Sequence, residues 1–134
     1  MLFAAAYSGT GAAHDLILAA IRGRLSLVLS DYVLAETERN LLKNAPRAHP
    51  AFLRFQATLP FQVSRPPKSL ITRTMRVVVA KDAPIIAAAQ AADVTLVATY
   101  DRKDLLSKRG KIFDAFGIIV ATPQEILTSL DDPR

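Results

Sequence analysis

The stretch Asp82-Ala83-Pro84-Ile85-Ile86-Ala87-Ala88-Ala89-Gln90-Ala91-Ala92, followed by Thr95-Leu96-Val97-Ala98-Thr99-Tyr100-Asp101, decides the fold class. An acid followed by Ala-Pro opens a helix, because the fixed φ of Pro suits the first turn and its missing N–H would be unpaired there anyway. The Ala-rich run through Ala92 continues the helix, and Thr95 to Thr99 reads as a buried strand. Further on, Asp101 to Ser107 reads as a short helix and Gly117-Ile118-Ile119-Val120 as a final strand. Thr122-Pro123-Gln124-Glu125 places Thr at the N-cap, Pro at N1 and Glu at N3 of a last helix. On the N-terminal side, Ala12, Leu16, Ala19 and Ala20 have helical spacing closed by Arg22-Gly23-Arg24. Leu25 to Leu29 is a short strand, and Ser30-Asp31 is an N-cap signal for a helix to about Lys43. Pro46 and Pro50 break that helix before another over Ala51 to Leu59. Phe61-Gln62-Val63 is a weak strand, Pro66-Pro67 a rigid connector, and Ser69 to Val78 an amphipathic helix. Strands alternating with helices predict one α/β domain over residues 1–134, with a mainly parallel sheet covered on both faces.

Composition narrows the chemistry. In 134 residues, 51% are hydrophobic, enough for a real core. Seventeen Lys and Arg against twelve Asp and Glu leave a net charge of +5, so the surface attracts polyanions without selecting among them. The absence of Cys excludes disulfides, thiolate nucleophiles and zinc-finger ligands, and suits a reducing cytosol. No apolar run approaches the roughly 20 residues that cross a bilayer. The apolar start Met1 to Ala6 has no basic residue before it and soon meets Gly9 and Gly11, unlike a secretory signal. The expected location is therefore cytoplasmic, with no membrane partner.

The predicted topology gathers acids. In an α/β fold, helices start near the carboxyl edge of the sheet and each parallel strand returns to that edge. Glu36 in the second turn of its helix, Asp82 at the start of the Ala-rich helix and Asp101 just beyond strand 95–99 are expected at one edge. Asp104, and Asp31 with it, are placed to join them. Such a concentration of like charge needs a cation, and carboxylates without Cys or clustered His suit Mg²⁺ or Mn²⁺. A divalent ion held by acids on a basic protein points to metal-assisted phosphodiester cleavage.

Each acid also has an ordinary role. Asp82 is placed to cap its helix, Glu36 to pair with Arg39, and Asp101 and Asp104 to form turns around Arg102-Lys103. The functional reading therefore rests on their shared edge. His14 and His49 are isolated, Thr10, Ser30 and Thr99 are equally suited to capping or to hydrogen bonds near the site, and no Ser lies in a triad pattern. Gly9-Thr10-Gly11 lacks the third Gly and the Lys of nucleotide-binding loops.

Several segments together resemble the PIN-domain ribonucleases, which include the toxins of VapBC-type toxin–antitoxin pairs. They are Leu2-Phe3-Ala4-Ala5; Leu27-Val28-Leu29-Ser30 with Tyr32-Val33-Leu34 and Glu36; Lys81 to Ala89; Leu96 to Leu106; and Ile118 to Leu127. The resemblance implies a three-layer α/β/α fold and a divalent-metal-dependent ribonuclease. Glu36, Asp82 and Asp101 would be metal-binding acids, Asp104 a helper and Thr99 a supporting hydroxyl. It also implies a cognate antitoxin and a homodimer. The family's first strand, ending in Asp-x-Asn or Asp-x-Ser, has no counterpart before Leu2. The expectations are then a start assigned too late, a truncated protein, or an assembly that covers the exposed strand edges. The basic residues Arg102, Lys103, Lys108, Arg109 and Lys111 flank the acids and are the candidate RNA contacts, or else a solvated surface run. The alternative function is a PIN-like module that binds RNA or a protein partner without cutting.

Overall fold

The computed structural model describes residues 11–131; Leu2-Phe3-Ala4-Ala5 and Thr10 lie outside them. Helix α1 (Ala12–Ile21) ends where Gly23 takes a positive φ of 76°. That turn lets Arg24 N–H reach the Ala19 carbonyl at 2.9 Å, satisfying an orphan acceptor of the last turn. Strand β1 (Leu27–Ser30) converts into α2 (Asp31–Asn44) within one residue, because the Ser30 hydroxyl accepts from Val33 N–H at 2.9 Å. A 3-10 turn at Pro46–Ala48 leads into α3 (His49–Thr58), and β2 (Phe61–Ser64) follows. Leu41 and Phe52 are fully buried among Ala13, Ile17, Leu29 and Leu59, forming a first core over β1. Burial of each large side chain there stabilises the fold by about 1.5–3 kcal/mol.

The second half has its own core. Helix α4 (Lys68–Thr74) is shorter than the amphipathic pattern to Val78 predicts, and α5 (Ala83–Ala91) is the expected Ala-rich helix. Asp93, at a φ of 57°, ends α5 by letting Val94 N–H donate to the Ala89 carbonyl at 2.8 Å. Strand β3 (Leu96–Ala98) comes next. The helix expected over Asp101 to Ser107 is absent. Leu106 N–H donates to the Asp101 carbonyl and Ser107 N–H to that of Arg102, a five-residue spacing too wide for an α-turn. A 3-10 turn at Leu106–Lys108 then opens α6 (Arg109–Phe116), a helix where the sequence suggests only a basic run. Strand β4 (Ile119–Ala121) leads into α7 (Pro123–Leu130), whose capping box has the predicted residues, Thr122 and Glu125. Val78, Ile86, Val97, Leu105, Ile112 and Val120 are among the buried residues of this second core.

The fold is mixed α/β with parallel strand pairs. Among the described residues the strands form two separate pairs rather than one sheet. Strand β1 runs parallel to β2, from Leu27 opposite Phe61 to Ser30 opposite Ser64. Strand β3 runs parallel to β4, from Leu96 opposite Ile119 to Ala98 opposite Ala121. Leu25 to Ser30 on one side and Val94 with Leu96 to Thr99 on the other line a common cavity of about 200 Å³, which Leu16 and Ile126 also border. Helix α5 ties the halves together: Ser64 Oγ donates to the Ala88 carbonyl at 2.8 Å, while Ile86 sits in the second core. Among the described residues no helix is long and apolar enough to cross a membrane.

Candidate metal centre

Beyond the carboxyl end of β3 the chain builds a turn out of its own side chains. Thr99 N–H continues the strand pairing to the Ala121 carbonyl at 3.0 Å, and Thr99 Oγ1 accepts from Asp101 N–H at 3.0 Å. Asp101 Oδ1 in turn accepts from Asp104 N–H at 2.9 Å. These two bonds fix the backbone of both acids. The other Asp101 oxygen, Oδ2, and Asp104 Oδ2 are left facing the start of α5.

Asp82 enters from that helix start. Although it occupies the N-cap position, it makes no side-chain cap bond, and its φ of −101° and ψ of −14° are helical rather than the extended values of a capping residue. The ordinary role for an acid before Ala-Pro is thus not the one adopted. Asp82 is only 6% exposed, and its Oδ2 is buried without a hydrogen-bond partner. One oxygen from each of Asp82, Asp101 and Asp104 lies within 4.8 Å of the others.

Lys81 stands among them. Its Nζ is 3.1 Å from Asp104 Oδ2, 3.3 Å from Asp101 Oδ2 and 3.5 Å from Asp82 Oδ2. The last contact is an ion pair without hydrogen-bond geometry. The environment splits the acids. Burial raises the Asp82 carboxyl above its ordinary value; Lys81 opposes that shift and Asp101 adds to it. Asp101 is held below its ordinary value, first by the Asp104 N–H and then by Lys81, against its own partial burial. Lys81 is held above its ordinary value by its bonds to Asp104 and Asp101.

Of the residues expected at the site, the structure brings together Asp82, Asp101 and Asp104, with Thr99 supporting Asp101. Glu36 is exposed on α2 and is not in the cluster, and no pair with Arg39 is formed among the described residues. Asp31 is also outside the cluster and accepts from its neighbour Tyr32 N–H at 2.8 Å. Arg102, Lys103 and Lys111 are exposed and Lys108 is half-buried. Arg109 reaches both oxygens of Glu125 at 3.3 Å, so its charge is partly engaged in tying α6 to α7. Lys81 is the residue sequence reasoning missed. Its signal was adjacency to Asp82, which periodicity arguments do not use.

The donor set fits a hard divalent cation. It is all carboxylate oxygen, it converges, and one of its oxygens is buried with no hydrogen bond, only the ion pair to Lys81. Comparison of this chain with protein-family models, with curated proteins and with solved structures finds no match in any of the three.

Proposed function

We propose that this chain is a PIN-like α/β domain acting as a divalent-metal-dependent ribonuclease, of the kind that serves as the toxin of a toxin–antitoxin pair. The observation that carries the reading is the convergence of Asp82, Asp101 and Asp104 within 4.8 Å, with a buried Asp82 oxygen that receives no hydrogen bond. A buried carboxylate oxygen without a hydrogen bond costs stability, and the 3.5 Å ion pair from the exposed Lys81 offsets that cost only in part, which suits a cation that completes the cluster. The parallel pairing of β1 with β2 and of β3 with β4 supports the α/β part of this reading.

Mg²⁺ or Mn²⁺ bound there would supply an activated water and stabilise the charge that develops on the scissile phosphate. The chain's own residues divide the remaining work. Asp82, Asp101 and Asp104 are the ligands in this reading, and Thr99 positions Asp101 through its backbone N–H. Exposed Arg102, Lys103 and Lys111 are the candidates to hold the RNA backbone, with half-buried Lys108 beside them. Glu36, outside the cluster, has no ligand role in this arrangement.

The test is Mn²⁺- or Mg²⁺-dependent cleavage of a structured RNA by this chain, with Asp82→Asn beside it. Cleavage that requires the metal and disappears in the variant is the expected result. Cleavage unchanged in Asp82→Asn would sink the assignment. The second reading, an RNA-binding module that does not cut, is favoured by one observation: an ammonium already stands among the three carboxylates. It predicts RNA binding that is indifferent to metal and to Asp82→Asn.

A further inference from the structure

The Lys81 side chain is 65% exposed, yet its Nζ lies within 3.5 Å of an oxygen of all three acids. No other residue of the cluster is cationic, so this ammonium is the counter-charge that lets the carboxylates converge. Oxygens within 4.8 Å of one another enclose room for one cation between them. A divalent ion would sit at about 2.0–2.2 Å from such oxygens, which leaves no space for the ammonium at its present distances. Exposed ion pairs are individually weak and cost side-chain entropy, and about two thirds of the Lys81 side chain is open to solvent. The head is therefore free to leave.

We propose that Lys81 is a tethered counter-cation that keeps the Asp82–Asp101–Asp104 cluster assembled without metal and is displaced when a divalent cation enters, so that it sets the metal concentration at which the site fills. This rests on the metal reading of the cluster given above. It makes Lys81 a positioning residue rather than a ligand, and it predicts an effect opposite in sign to that of a structural support. Removing a support weakens metal binding, whereas removing a competitor strengthens it.

The experiment is calorimetric titration of the metal-free protein with Mn²⁺ at fixed ionic strength, for the wild type, Lys81→Met, Lys81→Arg and Asp82→Asn. Circular dichroism verifies folding of each. Lys81→Met should bind about tenfold more tightly, a change of ~1.4 kcal/mol. Lys81→Arg, which keeps the tethered charge, should stay near the wild type, and Asp82→Asn should lose binding. Equal or weaker binding by Lys81→Met, with wild-type binding intact, overturns the competitor role and leaves the metal reading standing. No Mn²⁺ binding by either the wild type or Lys81→Met overturns both. A second readout covers a variant that does not fold: NMR of the wild-type Lys81 ammonium during Mg²⁺ titration. The signal should move towards that of a free lysine as the site fills, and a signal that stays put while the site fills refutes displacement.

Discussion

Asp82→Asn should stabilise the metal-free protein at neutral pH. The substitution keeps the shape of the side chain and removes its charge. At an effective dielectric of 20, two carboxylates at the outer limit of 4.8 Å repel by about 3.5 kcal/mol. Asp82 faces two such neighbours. The attraction of Lys81 at 3.5 Å is about 4.7 kcal/mol on the same scale, but the lysine is largely exposed and solvent screens much of that value. Repulsion plus the cost of burying the charge therefore outweighs the ion pair, in agreement with the raised pKa of Asp82. A net gain of about 1 kcal/mol moves the midpoint of thermal unfolding of a domain this size by roughly 4 °C. The pH dependence has a definite sign. A carboxyl whose folded pKa is raised binds more protons folded than unfolded, so wild-type stability falls as pH rises from the unfolded to the folded value. The advantage of Asp82→Asn is absent below that window and complete above it. Thermal unfolding of both proteins in chelator from pH 3 to 8 measures this. A variant less stable than the wild type at pH 7 would refute the reasoning and make Asp82 a structural anchor. Added Mn²⁺ should reverse the order, raising the midpoint of the wild type alone, because a ligand stabilises only the form that binds it.

Other predictions follow from single contacts. Asp101 has the opposite sign to Asp82: its lowered pKa contributes stability above the unfolded value that is lost as pH falls through the folded one, so Asp101→Asn should flatten the acid limb of the stability curve. Ser30→Ala removes the α2 cap and should cost about 1 kcal/mol in denaturant unfolding. Asp93→Gly relieves a non-glycine residue at a φ of 57°, a left-handed conformation that costs an L-residue about 1–2 kcal/mol, and should raise stability by part of that. A destabilising outcome there would show that the Asp93 side chain contributes more than its backbone strain costs.

The legible parts of this chain are those where one local rule sufficed. Helix α5 and the Thr122–Glu125 capping box follow from Pro at N1, a run of Ala and a reciprocal pair of cap bonds that act within a few residues, whereas β3 is shorter than expected and not buried throughout, with Leu96 exposed. Topology alone carried Asp82, Asp101 and Asp104 to one place, because a strand end and the start of a neighbouring helix meet at one edge. Three things were not legible. The turn after Asp101 is held by side-chain-to-backbone bonds from Thr99 and Asp101, which compete with the helix its composition suggests. Helix α6 begins in a basic run, where Lys and Arg mask the single buried anchor, Ile112. Glu36 sits at the right helical turn, but reaching the cluster would require a side-chain direction that periodicity does not specify.

The buried apolar residues form three clusters, the third of which joins Leu16 of α1 to Ala121 and Ile126, and the acids rest on the second. Asp82, Asp101 and Asp104 all belong to the second half, on the α5 start and the turn after β3. Leu105 follows Asp104 directly and is 1% exposed within that half's core, so it pins the acidic turn from beneath. Phe52 is also buried, but in the first core. Truncating either should be severe, about 2–5 kcal/mol for Leu105→Ala and 3–5 for Phe52→Ala. Their effects on the site should differ. With both proteins held folded at low temperature, Leu105→Ala should weaken Mn²⁺ binding, because a cavity under the turn lets Asp101 and Asp104 drift from Asp82. Phe52→Ala should leave the affinity of the folded fraction unchanged. Equal losses in the two variants would mean that the carboxylates are held by the whole fold. A loss confined to Leu105→Ala would locate the preorganisation of the site in one half of the molecule, independent of what borders the cavity between β1 and β3.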